Sequence, residues 1–186
     1  MKIEVLDTTL RDGAQAEGVT LSIDDKAECI RLFDDLKIDY IEAGTPFANP
    51  KDKKLLCDDD VKTVNSHLVA FVSTRHKNNL TDEDSALNLL SLSKTQFVSV
   101  VGKSSVTQAE KVLQVSAQDN LKMIYDSIRF LCDRNKTVFF DAEHFFDGYK
   151  ENPDYALDTL RTAKNAGAKT LVLCDTNGAT LPEEIS

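Results

Sequence analysis

Runs rich in Val, Ile and Phe recur along the chain at 3–7, 39–43, 67–73, 96–101, 137–142 and 169–174. Short apolar, β-branched stretches closed off by polar residues predict strands covered on both faces. The intervening segments 22–36, 51–65, 81–92, 106–133 and 153–166 place apolar residues at helical spacing, which predicts amphipathic helices. A sixth helix is expected to start at Leu181-Pro182-Glu183-Glu184, where Pro182 suits a first-turn position. Ser22 ahead of Ile23-Asp24-Asp25 and Thr81 ahead of Asp82-Glu83-Asp84 read as N-caps, and Gly167 as a C-terminal stop.

Strands alternate strictly with helices, and no tight-turn dipeptide joins two strands. That arrangement implies parallel strands linked by crossover helices. An open doubly wound sheet and a closed barrel both satisfy it. The G-x-G-x-x-G fingerprint follows none of the strands, which disfavours a dinucleotide-binding open sheet. No linker or change of composition interrupts residues 1–186, so a single domain is expected.

Composition narrows the function. The chain has 186 residues, 22 basic against 31 acidic, and a net charge of −9. The basic residues form no patch or run, so a nucleic-acid partner is not expected. An anionic substrate remains compatible, because it requires only local positive charge. Cys29, Cys57, Cys132 and Cys174 lie far apart without paired spacing and beside apolar segments. They read as reduced and mostly packed, in keeping with a cytoplasmic location. The opening residues carry no secretory pattern. Apolar runs such as Leu68-Val69-Ala70-Phe71-Val72 are too short to span a membrane.

In parallel α/β proteins chemistry collects at the C-terminal ends of the strands. Here those ends read Asp7-Thr8-Thr9-Leu10-Arg11-Asp12-Gly13-Ala14-Gln15, Glu42-Ala43-Gly44-Thr45-Pro46, Ser73-Thr74-Arg75-His76, Gly102-Lys103-Ser104, Asp141-Ala142-Glu143-His144 and Asp175-Thr176-Asn177-Gly178. Any one of them is explained by a solvated turn. Asp12, Arg11, Arg75, Lys103, Glu143 and Asp175 on a single rim would suit a small anionic substrate and a metal. Arg11-Asp12 is the sharpest pair, with Gly13 expected to allow an immediate turn. A carboxylate suits a hard cation, and a neighbouring guanidinium can stabilise a developing oxyanion. A local ion pair capping the first loop explains the same residues, and on chemistry alone both readings stay open. Phe97 stands where a phosphate loop through Gly102-Lys103-Ser104 would need glycine, so that motif is rejected. His67 reads as structural and His76 as solvated.

The first-strand segment Asp7 to Gln15 resembles that of the metal-dependent barrels that form or cleave carbon–carbon bonds, which include isopropylmalate, homocitrate and citramalate synthases and hydroxymethylglutaryl-CoA lyase. The segment Asp141 to Lys150, together with Leu173-Cys174-Asp175-Thr176-Asn177-Gly178, is similar to the citramalate and isopropylmalate synthase branch. Asn49-Pro50-Lys51-Asp52 and Phe71 to Arg75 agree, so the resemblance covers nearly the whole chain. It departs at Thr45-Pro46-Phe47, at Ser104-Ser105 and at Ala179, positions that bear on substrate choice.

The resemblance implies a (β/α)₈ barrel, represented by about six βα units as the N-terminal part of a catalytic domain. It implies condensation of acetyl-CoA with a 2-oxo acid, pyruvate foremost, giving citramalate and CoA. It assigns Asp12 to a divalent metal (Mg, Mn or Zn) and Arg11 and Glu143 to catalysis. Gln15, Arg75 and Thr176 are assigned to substrate binding, and a homodimeric parent protein is implied. The family's remaining metal ligands, a His-x-His pair on a seventh strand, fall beyond Ser186. The competing readings are isopropylmalate or homocitrate synthesis, and a non-catalytic interaction fragment.

Overall fold

A computed structural model describes residues 2–57 and 61–185. Its strands are β1 (Leu6–Asp7), β2 (Tyr40–Gly44), β3 (His67–Ser73), β4 (Phe97–Lys103), β5 (Thr137–Glu143) and β6 (Thr170–Leu173). They follow chain order across the sheet. The pairs β1–β2, β2–β3 and β5–β6 are parallel. An order without reversal has no topological switch point, which separates barrel-type winding from the doubly wound alternative. The helices are α1 (Ile23–Asp35), α2 (Pro50–Cys57), α3 (Ser85–Leu92), α4 (Val106–Gln108), α5 (Ala117–Cys132), α6 (Phe145–Glu151) and α7 (Pro153–Ala166). Two compact units result: Met1–Val72 with Ser85–Ser99, and Ser73–Asp84 with Val100–Ser186.

In the first unit, Leu10, Ile30, Ile41, Leu55, Val69, Leu87 and Val98 are fully or almost fully buried. Ser22 caps α1 as expected. Its hydroxyl accepts from the Asp25 N–H, and the Asp25 carboxylate accepts from the Ser22 N–H. At the other end of α1 the Asp34 carboxylate accepts the N–H groups of Val64, Asn65 and Ser66. Those donors are thereby withheld from a helix, so the expected segment 51–65 ends at Cys57 as helix α2. Its positions 58–60 lie outside the described residues. β1 is shorter than the expected 3–7 because the Val5 N–H donates to the Asp39 side chain. Ile3, 77% exposed, has no buried face to hold it in a strand.

In the second unit Ile124, Ile128, Leu131, Val138, Phe140, Ala156 and Ala163 are all fully buried. The expected helix 106–133 is broken. α4 passes into a π-turn at Ala109–Leu113, Gln114 adopts a left-handed conformation (φ 56°), and Ser116 caps the fresh start of α5. Thr81 opens a 3-10 turn without a side-chain cap, and the neighbouring Asp84 carboxylate accepts the His76 N–H. α6 was not foreseen. Gly148 at its centre lies so close to the Ser104 carbonyl that a Cβ would stand 2.0 Å from the oxygen. Asn152 caps α7, and Gly167 (φ 112°) ends it as expected. Pro182–Glu184 forms a 3-10 turn where a sixth helix was expected to begin.

Candidate active site

In the first unit the chain turns immediately after β1 because one acceptor, the Thr8 carbonyl, takes the N–H groups of Arg11, Asp12 and Gly13 at 3.1, 2.8 and 3.2 Å. Gly13 itself is not in a left-handed conformation, and a Cβ there would meet only ordinary contacts. The turn is thus made by the backbone and by Asp7, whose carboxylate accepts from both the N–H and the hydroxyl of Thr9.

This turn presents Arg11 between three partners. Its Nε donates to Glu42 Oε2 at 2.5 Å, its Nη1 donates to Asp12 Oδ1 at 3.0 Å, and its guanidinium carbon lies 4.0 Å above the centre of the Phe71 ring. Glu42 is fully buried. Burial pushes its carboxyl above the ordinary range, while the Arg11 charge and the Ser99 hydroxyl pull it back. Removing one member of such a pair leaves an uncompensated buried charge, at a cost of about 3–5 kcal/mol. The guanidinium plane is therefore firmly held, and Nη2 has no protein acceptor among the described residues. Asp12, by contrast, keeps its carboxylate 65% exposed.

A cavity of about 400 Å³ opens beside Arg11, walled in part by Gln15, Thr45, Asn49, Lys26 and Asp52. Gln15 is exposed on its rim. Glu42 stood among the polar strand ends in the sequence but was not assigned a role. Lys26 and Asp52 were missed, because each sits in a helical segment where a charged residue ordinarily faces water.

The second unit holds the other expected residues. Glu143, the last residue of β5, forms an ion pair with Lys103 at the end of β4, and both side chains are largely covered. The next residue, His144, takes a left-handed conformation (φ 57°). Its N–H donates to Thr176 Oγ1 at 2.8 Å, and its ring meets Asp147 Oδ2 at 3.2 Å. Since the Thr176 oxygen accepts this N–H, its own hydrogen can point to an incoming acceptor. Asp175 is tied up locally. Its carboxylate accepts the N–H and hydroxyl of Thr180, and these bonds hold it below the ordinary carboxylate range. Arg75 turns away from the strand ends. Its Nε and Nη2 donate to Asp126 on α5, and Nη1 donates to the Asn79 carbonyl. It lines a separate cavity of about 770 Å³ with Lys77, Gln114 and Lys122.

Among the described residues no three His, Cys, Asp or Glu side chains come together to hold a metal ion. Asp12 supplies one carboxylate and no more, so the residues described do not complete a metal site. All four cysteines are reduced thiols and half-buried, less enclosed than expected. No helix among the described residues is long and apolar enough to cross a membrane.

The (R)-citramalate synthase of Sulfolobus acidocaldarius is 44% identical over 184 residues, covering 98% of this chain and 35% of that protein. The 2-isopropylmalate synthase of Shouchella clausii is 31% identical over 185 residues, covering all of this chain and again 35% of the relative. The chain thus spans about a third of the length of the curated relatives it matches. A crystal structure of the HMG-CoA lyase of Bacillus subtilis superposes with a TM-score of 0.79 over 99% of this chain and 61% of that one, at 19% identity. That likeness gives the fold: part of a (β/α)₈ barrel, with six of its strands among the described residues. The profile of the HMGL-like family matches residues 2–186, and the chain belongs to that family.

Proposed function

We propose that this chain is the N-terminal part of the catalytic barrel of a cytoplasmic acyltransferase that condenses acetyl-CoA with pyruvate to give citramalate and CoA. The observation that carries the reading is the state of Arg11: charged, oriented by a buried carboxylate, and with Nη2 unused. Relatives named (R)-citramalate synthase at 44% identity support it over isopropylmalate synthesis, whose named relative stands at 31%.

In this reading the acetyl methyl group loses a proton and the resulting enolate carbon attacks the ketone carbon of the 2-oxo acid. The ketone oxygen takes up a proton, and hydrolysis of the thioester releases CoA. Negative charge develops on the thioester oxygen as the methyl proton leaves, and Arg11 Nη2 offsets it at no cost in reorientation. Thr176 donates its hydroxyl hydrogen to the carboxylate of the 2-oxo acid. Glu143, oriented by its ion pair with Lys103, polarises groups at the reacting centre. Gln15 binds the thioester from the cavity rim. Arg75 supports its loop through Asp126, and its share in substrate binding is indirect. Asp12 is assigned as one ligand of a divalent metal whose other ligands lie outside the described residues, and no step above passes through that metal.

The test is a thiol-trapping assay on the full-length protein with acetyl-CoA and a panel of 2-oxo acids. Release of CoA that depends on pyruvate supports the reading. Release that ignores the 2-oxo acid overturns it, and so does none at all. Preference for a longer branched 2-oxo acid would move the assignment to isopropylmalate synthesis.

A further inference from the structure

The first unit contains a second buried ion pair, which the reaction above does not use. Lys26 on α1 and Asp52 on α2 are 6% and 4% exposed, and their charged atoms meet at 2.6 Å. A buried ion pair is a poor source of stability, since apolar side chains of the same volume are often as good or better. Its other bonds indicate a different role. Lys26 Nζ also donates to the Ala43 carbonyl at 3.0 Å, and Asp52 Oδ2 accepts the Thr45 N–H at 2.9 Å. Gly44 between them has no Cβ, and one there would lie 2.3 Å from the Asp52 carboxyl carbon. Pair and glycine therefore fit together as one clamp on Ala43-Gly44-Thr45.

That clamp sits on an irregularity in the sheet. Glu42 pairs with Val69 and Gly44 with Ala70, so two steps along β2 match one along β3, and Ala43 is the extra residue. A bulge of this kind re-aims the side chains beside it. The side chain on one flank is Glu42, which holds Arg11.

We propose that Lys26 and Asp52 are positioning residues. Their ion pair fixes the bulge at Ala43, the bulge aims Glu42, and Glu42 sets the plane of the Arg11 guanidinium. The catalytic consequence rests on the reading of Arg11 given above, whereas the mechanical one does not.

The test uses Lys26→Met combined with Asp52→Asn, which removes both charges and the Ala43 bond but keeps volume and the acceptor for Thr45. In the chain without substrate, hydrogen exchange of the Arg11 Nε–H is followed by NMR. The expected result is exchange faster by about 10-fold while amides of the buried strands stay protected, since the opening is local. An Arg11 Nε–H as protected as in the unaltered chain overturns the clamp. Lys26→Gln, which leaves the Asp52–Thr45 bond in place, gives the same reading if the double variant does not fold. In the full-length protein the double variant is expected to lose roughly 10- to 100-fold in kcat with KM for acetyl-CoA changed far less, as a small misplacement of an aligned group would produce. Undiminished kcat together with an Arg11 Nε–H as protected as in the unaltered chain points to a merely structural pair and overturns the proposal. Loosened Arg11 with undiminished turnover supports the clamp and overturns the role given to Arg11.

Discussion

Thr176 accepts the backbone N–H of His144 at 2.8 Å, so the end of β5 orients a hydroxyl that follows β6. The bond depends on the left-handed turn of His144, which points its N–H across to the neighbouring strand end.

Replacing this hydroxyl isolates its role. Thr176→Val keeps the shape and removes both acceptor and donor. In the full-length protein it is expected to raise KM for the 2-oxo acid by about 10-fold, the worth of one hydrogen bond to a charged group. Thr176→Ser is expected to retain most of the affinity. Steady-state kinetics with pyruvate as the varied substrate checks both, and equal effects on KM for acetyl-CoA would contradict the assignment.

Arg11→Lys keeps the charge but loses the planar fork that reaches Glu42 and Asp12 together. A fall in kcat of about 100-fold is expected, comparable to the loss of one oxyanion donor. Circular dichroism should show an unaltered fold. Turnover within a few-fold of the parent would remove Arg11 from the chemistry.

Asp34 gives a pH dependence whose sign can be worked out. Burial alone would raise its carboxyl, but the N–H groups of Val64, Ser66 and Asn65 together outweigh it and hold it below its ordinary value of 3.8. A carboxylate lowered in the folded state contributes stability that is complete above the unfolded value and lost as pH falls through the folded one. Acid unfolding should therefore steepen below about pH 4, and Asp34→Asn should flatten that limb. At neutral pH, Asp34→Ala is expected to cost about 3 kcal/mol in urea melts, because it orphans three N–H groups at the end of α1. A loss under about 1 kcal/mol would count against a stabilising role for the Asp34 bonds.

Gly148→Ala tests the approach of α6 to the loop after β4. With a Cβ 2.0 Å from the Ser104 carbonyl oxygen, one of the two backbones must move. A loss of about 2–3 kcal/mol is expected, as for overpacking in a tight core. Thermal melts against Gly167→Ala, which instead strains a left-handed helix stop, would separate steric crowding from backbone strain.

Titration of this chain with Mn²⁺ is expected to show no tight stoichiometric uptake, since among the described residues no three His, Cys, Asp or Glu side chains come together to hold an ion. A sharp calorimetric endpoint at one ion per chain would show that the ligand set is complete without further residues.

The sequence revealed much of this fold because strands covered on both faces must be continuous apolar runs. His67–Ser73 matches its expected bounds to the residue, and Thr137–Glu143 overruns its own by one. What it hid came from partners distant in the chain. The N–H groups of 64–66 follow Asp34 rather than a helix, and the break at Gln114 interrupts an apolar rhythm that continues on either side. The site divides in the same way. Arg11 and Asp12 stand at a strand end, where position alone made them candidates, whereas Thr176 entered only through the family resemblance. Lys26 and Asp52 stand 26 positions apart on two helices, and only packing makes them a pair.

The Arg11–Glu42 bond also bears on how this segment can change over evolutionary time. Losing the guanidinium strands an anion in the interior, while losing the carboxylate frees a cation needed in one orientation. Either single step passes through a form that folds poorly or works poorly, so drift at one position is barred until the other has moved. Two sites 31 residues apart should accordingly be inherited as one character, and a chain found with only one of them altered should carry a third change nearby that absorbs the unpaired charge.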